Sequence, residues 1–174
     1  TSTEFGDLPS AYDGIIARAS PALAECCERL NVPLVNVWSN SPARSAPTAS
    51  ANQTAIGKIA AEFLLKRGFR NFGFMSRHSD GVCVYNLEGI QTAIRRYGCE
   101  CHTVDAYIPW QLAEWHQYRS SMSEWLSQLP LPVAIITTDD LVARHLVDHC
   151  TRMGLTIPDD VAVVSCQTSE LVCG

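Results

Sequence analysis

Apolar residues along this chain fall into two alternating rhythms, short unbroken runs and longer stretches with a three-and-four spacing. Residues 13–18 (DGIIAR) form a short apolar run behind a turn pair, which predicts a buried strand. Pro21 then opens a helix, with Leu23, Cys26, Cys27 and Leu30 at i, i+3, i+4 and i+7. A second strand is predicted over 32–38 (VPLVNVW), and residues 39–51, rich in Ser, Pro and Ala without a period, read as a loop. Residues 52–67 carry the clearest helical pattern: Ile56, Ile59, Ala60, Phe63 and Leu64 form one stripe, and Gly68 is placed to stop it. A strand over 72–76 (FGFMS), a polar loop over 77–82 and a helix over 83–97 follow, with Ile90, Ala93, Ile94 and Tyr97 on one face and Gly98 as terminator. Next come a strand over 102–108 and a helix marked by Met122, Trp125, Leu126 and Leu129, closed by Pro130. Residues 133–138 (VAIITT) are a near-continuous apolar strand. Asp139-Asp140 cap a helix running to Met153 and Gly154, and 157–160 turn into a last strand over 161–166.

The order is β-α-β-α-β-α-β-α-β-α-β. Strands that are apolar throughout, separated by amphipathic helices, imply an α/β fold with parallel sheet covered on both faces and right-handed crossovers. Ligands in such sheets bind at the carboxyl ends of the strands. Those ends present Trp38, Asp139 and Gln167, and the loops beyond two other strands lead to Trp115 and Asn86. Carboxylate and amide groups hold vicinal hydroxyls, and an aromatic face covers the C–H side of a sugar ring, so this set is a candidate small-molecule site. Trp115 is equally suited to a core position.

Composition narrows the classes. The chain has 174 residues, 47% hydrophobic and 18% charged, which is the make-up of a globular protein with a real core. Its net charge of -5 repels phosphate backbones, so this segment is not expected to bind DNA directly. Residues 1–7 lack a basic stretch followed by an apolar run, so no signal peptide is read, and no apolar run approaches the ~20 residues of a membrane span. The eight cysteines sit mostly inside apolar stretches and read as reduced core thiols of a cytoplasmic chain rather than a disulfide framework. Cys99-Glu100-Cys101-His102 lacks the second half of a zinc site, and neither metal nor cofactor is expected. The phosphate-cradling glycine motifs and the G-x-S-x-G elbow are absent. His78-Ser79-Asp80 has the letters of a catalytic triad, but three consecutive loop residues cannot face one another. Asp139-Asp140 suits a helix cap better than an acid/base dyad.

The stretch AIITTDDLVARHLVDHCTRMGLTIPDDVAVVSC (134–166) resembles the effector domain of the LacI/GalR repressors. Their pattern there is a strand, an Asn-Asp pair, an x-x-A helix and then G-x-x-(I/V)-P-x-D-V-x-V-V-G. YDGIIAR (12–18) with VPLVNV (32–37), and ANQTAIGKIAAEFLLKRGFRNFGFM (51–75), also fit. EWHQYRSSMSEWLSQLP (114–130) and SCQTSELVCG (165–174) look like the xylose-responsive activators of the AraC class. The resemblance implies a periplasmic-binding-protein-like type I fold of two Rossmann-like lobes with parallel sheets, truncated at both ends. Residues 1–69 would be the remainder of the N-terminal lobe and 70–174 most of the C-terminal lobe.

Carried over by position, the family's Asn-Asp pair is Asp139-Asp140, with Asp139 facing ligand and Asp140 capping the helix. Its tryptophan is matched by Trp115, its arginine ahead of a glycine is replaced by Asn86, and its aspartate after the last strand by Gln167. The glycine of that last strand is Ser165, and the Asp-Asn that begins the long helix is Ala51-Asn52. The implied function is sensing of a small sugar such as a pentose by a homodimeric regulator that meets DNA only through a domain absent here. No membrane contact is implied. The alternatives are an α/β sugar-modifying enzyme and an exported solute-binding protein; the absence of nucleophile and phosphate motifs favours sensing over catalysis.

Overall fold

The computed structural model describes residues 13–77, 81–106 and 114–168. His78-Ser79-Asp80, Cys173 and the predicted strand end at 107–108 lie outside them. The elements are β1 (Ile15–Ala17), α1 (Pro21–Leu30), β2 (Leu34–Asn36), α2 (Gln53–Lys66), β3 (Asn71–Arg77) and α3 (Cys83–Arg95). They continue with β4 (Cys101–Ala106), α4 (Trp115–Ser127), β5 (Val133–Thr137), α5 (Asp140–Arg152) and β6 (Val161–Ser165), the alternation expected. The chain separates into two compact units, Thr1–Ala51 and Asn52–Gly174.

In the first unit β1 and β2 pair in parallel, Ile15 opposite Leu34. The second strand is shorter than its apolar run because Asn36 ends it. The buried Asn36 amide accepts from the backbone N–H of Ala19 (3.1 Å) and Trp38 (3.0 Å), and donates to the Trp38 carbonyl (2.8 Å) and Thr48 Oγ1 (3.0 Å). Trp38 is thus tied to a side chain instead of a neighbouring strand. At the other end of α1, Asn31 takes the left-handed conformation (φ 53°) that closes the helix.

The second unit is a four-stranded sheet in the order β4-β3-β5-β6, every pair parallel. Alternate residues of the strands enter two separate cores, which puts helices on both faces. Phe72, Phe74 and Ile136 pack with Leu64 of α2 and Ile90 and Ile94 of α3. Met75, Val133 and Ile135 pack with Met122 and Leu126 of α4 and Val142 and Leu146 of α5. All five residues of β5 are buried, as a central parallel strand requires.

One expectation shifts here. The buried face of α2 is Gly57, Ala60, Ala61, Leu64 and Leu65, while Ile59 and Phe63 are exposed at 65% and 44%. The reason is a close crossing with α3. A Cβ on Gly57 would overlap the Asn86 carbonyl, with its carbon at 2.8 Å, and one on Gly89 would lie 2.8 Å from the Lys58 nitrogen. Small residues let the two backbones touch, so they and not the largest apolar side chains define the inner face. The same contact makes α2 part of the second compact unit, Asn52–Gly174.

Candidate functional site

The sheet brings polar groups together at its carboxyl edge. β3 ends at Ser76 and Arg77, β4 at Asp105 and Ala106, and β5 runs into Thr138 and Asp139. β6 runs through Ser165 into Gln167, beside β5 because Thr137 pairs with Ser165 and the Cys166 N–H donates to the Thr137 carbonyl at 2.9 Å. Hydrogen bonds join these ends. Ser76 Oγ donates to Asp105 Oδ1 at 2.9 Å, and the Arg77 N–H donates to Thr138 Oγ1 at 3.1 Å. Arg77 Nη1 stands 3.7 Å from Asp139 Oδ2.

Asp139 is the N-cap of α5, which corrects the assignment of that role to Asp140. Its extended backbone (φ -143°, ψ 167°) holds Oδ1 over the first turn, where it accepts from the Val142 N–H at 2.9 Å. Asp140 is instead the first helical residue, also buried. The second oxygen of Asp139 is left for Arg77. The Arg77 side chain is 44% exposed, so this ion pair adds little stability, on the order of 0–1 kcal/mol.

The other predicted residues divide. Gln167 is exposed at the end of β6, next to Asp139's strand. Trp115 begins α4, where it packs edge-on to Tyr118 (ring centroids 5.6 Å apart) and against His145 of α5 (5.4 Å). Burial holds His145 below its ordinary pKa; Asp148 raises it, Arg144 lowers it, and Asp139 raises it again, so Asp139 and Trp115 share His145 as a neighbour. Asn86 is buried between α3 and α2, its Nδ2 donating to the Gln53 carbonyl (3.0 Å) and Gln53 Oε1 (3.1 Å). Its amide nitrogen therefore serves the helix seam. Trp38 belongs to the first unit, half-buried with the Arg18 guanidinium 5.7 Å from its ring centre.

Sequence reasoning passed over Ser76, Arg77 and Thr138, although the strand-end rule that found Asp139 points to them as well. It also passed over Tyr118, which only the turn of α4 places beside Trp115. Behind this edge, between β4 and α4, lies a pocket of about 490 Å³ that none of the five predicted residues lines. Among the described residues no group of three or more His, Cys, Asp or Glu is arranged to hold a metal ion, and the seven described cysteines are free. No described helix is long and apolar enough to cross a membrane.

The chain is similar to the xylose operon regulatory protein of Haemophilus influenzae, 22% identical over 169 residues covering 93% of this chain and 44% of that protein. It is similar to the HTH-type transcriptional repressor CytR of Escherichia coli, 23% identical over 168 residues covering 94% and 49%. It thus spans about half the length of the curated relatives it matches. A solved periplasmic binding protein/LacI transcriptional regulator from Alkaliphilus metalliredigens, complexed with D-xylulofuranose, shares the fold with a TM-score of 0.66. It is 17% identical and overlaps 88% of this chain and 56% of its own. Residues 61–174 match the periplasmic binding protein-like domain, and with more than half of its length matched the chain belongs to that family.

Proposed function

We propose that this chain is the ligand-sensing part of a bacterial transcription regulator, that it binds a small sugar, and that DNA is met by a domain outside residues 1–174. The observation carrying the reading is the row of hydroxyl partners at the carboxyl edge of β3, β4, β5 and β6. Asp139 Oδ2 accepts a sugar hydroxyl, the Arg77 guanidinium donates to a hydroxyl or ring oxygen, and the Gln167 amide does either. Trp115 offers an apolar plate for ring C–H groups. Pentoses are favoured by the likeness of 114–130 and 165–174 to xylose-responsive activators of the AraC class, and a relative named for the xylose operon supports this. In this reading the regulator works as a cytoplasmic homodimer and the sensing chain is not an enzyme. Sugar controls DNA binding only through its differential affinity for two forms of the regulator.

Calorimetry of the full-length protein against D-xylose, L-arabinose, D-ribose and D-glucose tests this, with Asp139→Asn as the key variant. Asparagine caps a helix about as well as aspartate, so stability is retained while the charged acceptor is lost. A pentose is expected to bind, and the variant to bind it about tenfold or more weakly, the loss of one charge-assisted hydrogen bond of roughly 1.5–3 kcal/mol. No sugar binding by the parent, or equal binding by the variant, contradicts the proposal.

A further inference from the structure

We propose that the pocket between β4 and α4 is a second ligand site, sharing only Asp105 with the strand-end row, and that it takes a small organic cation: an amine with an apolar body. Its volume of about 490 Å³ lies within the range of small-molecule sites. The N-cap of α4, Glu114, and one stripe of the helix, Gln117, Tyr118 and Ser121, line it at i, i+3, i+4 and i+7. Opposite stands Asp105 of β4, held by the Ser76 hydroxyl at 2.9 Å. Met75, Val104 and Met122 make its apolar wall.

Two atoms point to a ligand. Glu114 Oε2 and Tyr118 Oη are both buried from solvent, and neither has a hydrogen-bond partner. Buried polar atoms are nearly always paired, so two orphans on residues of one pocket wall, at the N-cap and in the first turn of α4, are groups awaiting a partner. Burial pushes the Tyr118 phenol up to about 12, so it keeps its proton near neutral pH and can donate as well as accept. Two carboxylates line the pocket, and no lysine, arginine or histidine is among the described lining residues. That balance selects a donor-rich, positively charged guest. An ammonium group pairs with the Glu114 carboxylate, and with the phenol oxygen once the Tyr118 side chain turns toward the guest, while its hydrocarbon body lies on the methionine and valine wall.

The proposal does not rest on sugar sensing: Asp105 is the one strand-end group on this wall, and Asp139, Trp115, Asn86, Gln167 and Trp38 are all absent from it. The test titrates the full-length protein with cyclohexylammonium chloride at pH 7, with cyclohexanol as the uncharged probe of the same shape, following the backbone amides of 114–122 by NMR. The ammonium ion is expected to shift those amides saturably and to bind about tenfold or more tightly than cyclohexanol. Glu114→Gln should abolish that preference, and Asp139→Asn should leave it intact. Tyr118→Phe, which removes an unpaired hydroxyl, should weaken ammonium binding without lowering the melting temperature of the free protein. Equal binding of the two probes, absence of saturable binding, an unaffected Glu114→Gln variant, or loss of stability in Tyr118→Phe overturns the proposal.

Discussion

Replacing Gly57 by alanine perturbs the α2–α3 seam in a way that separates two opposed physical effects. In an exposed helix the change stabilises by about 1 kcal/mol, because alanine loses less backbone freedom on folding. Here the new methyl has nowhere to go. Its Cβ would overlap the Asn86 carbonyl, with the carbonyl carbon at 2.8 Å and Asn86 Cα at 3.0 Å. These are backbone atoms, so no rotamer change relieves the contact and the helices must part by several tenths of an ångström to an ångström. Parting them loosens Ala61, Leu64, Ile90 and Ile94, all of which are at most 1% exposed. A gap of that size forfeits about a quarter to a half of each contact's dispersion energy. Overpacking of this kind costs about 1–3 kcal/mol, and the unyielding backbone places this case near the top of that range. Net of the helix-propensity gain, Gly57→Ala should destabilise by about 2 kcal/mol. With a urea m-value of about 2 kcal/mol/M, the unfolding midpoint should fall by roughly 1 M. Gly89→Ala meets the Thr54 and Lys58 backbone and should behave alike, and the double variant should lose less than the sum because one separation relieves both clashes. A midpoint equal to the parent's or higher would refute the close-crossing argument and leave helix propensity as the ruling effect.

Two further outcomes follow from buried titratable groups. His145 and His149 both have pKa values lowered chiefly by burial, and in His149 also by Arg152 and Arg119, so the unfolded chain binds protons more readily than the folded one. Stability should therefore be full above the ordinary histidine value of about 6.5 and fall as pH drops below it. His149→Gln, which can keep the hydrogen bond to Ser123 Oγ seen at 2.9 Å, should flatten that decline in urea titrations at pH 7 and 5.5; an unchanged slope counts against it. Burial also pushes Cys101 up to about 12 and Cys150 and Cys166 up to about 11. Mass spectrometry after iodoacetamide treatment at pH 8 should find these three unmodified in the folded protein and modified in urea, whereas rapid native labelling would contradict their burial.

The alternation of strands and helices was legible because a parallel strand buried on both faces is an unbroken apolar run, and 133–137 is the clearest instance. What hydrophobicity alone misplaces is the inward face of α2. Ile59 and Phe63 outrank Gly57 and Ala61 on any apolar scale, yet the close approach of α3 favours the smaller pair. Strand-end reasoning located Asp139 and Gln167 because position along a strand is a local property. The distinction between Asp139 and Asp140 was not local in that sense, since it depends on which of two neighbouring residues keeps extended backbone angles. Asn86 illustrates the same limit. Its place on the first turn of α3 was readable, but its commitment to Gln53 depends on a helix 33 positions away in the chain. The unpaired atoms of Glu114 and Tyr118 leave no trace in the sequence, because an absent partner is a property of packing.

The most direct test of the central claim is a two-dimensional amide NMR titration of the protein with D-xylose. If the carboxyl edge of the sheet is the sensing site, the amides of Thr138, Asp139, Cys166 and Gln167 should shift together along one saturable curve, with Arg77 moving alongside them through its bond to Thr138. Shifts confined to α1 or to the α2–α3 seam, or none at saturating sugar, would contradict the account.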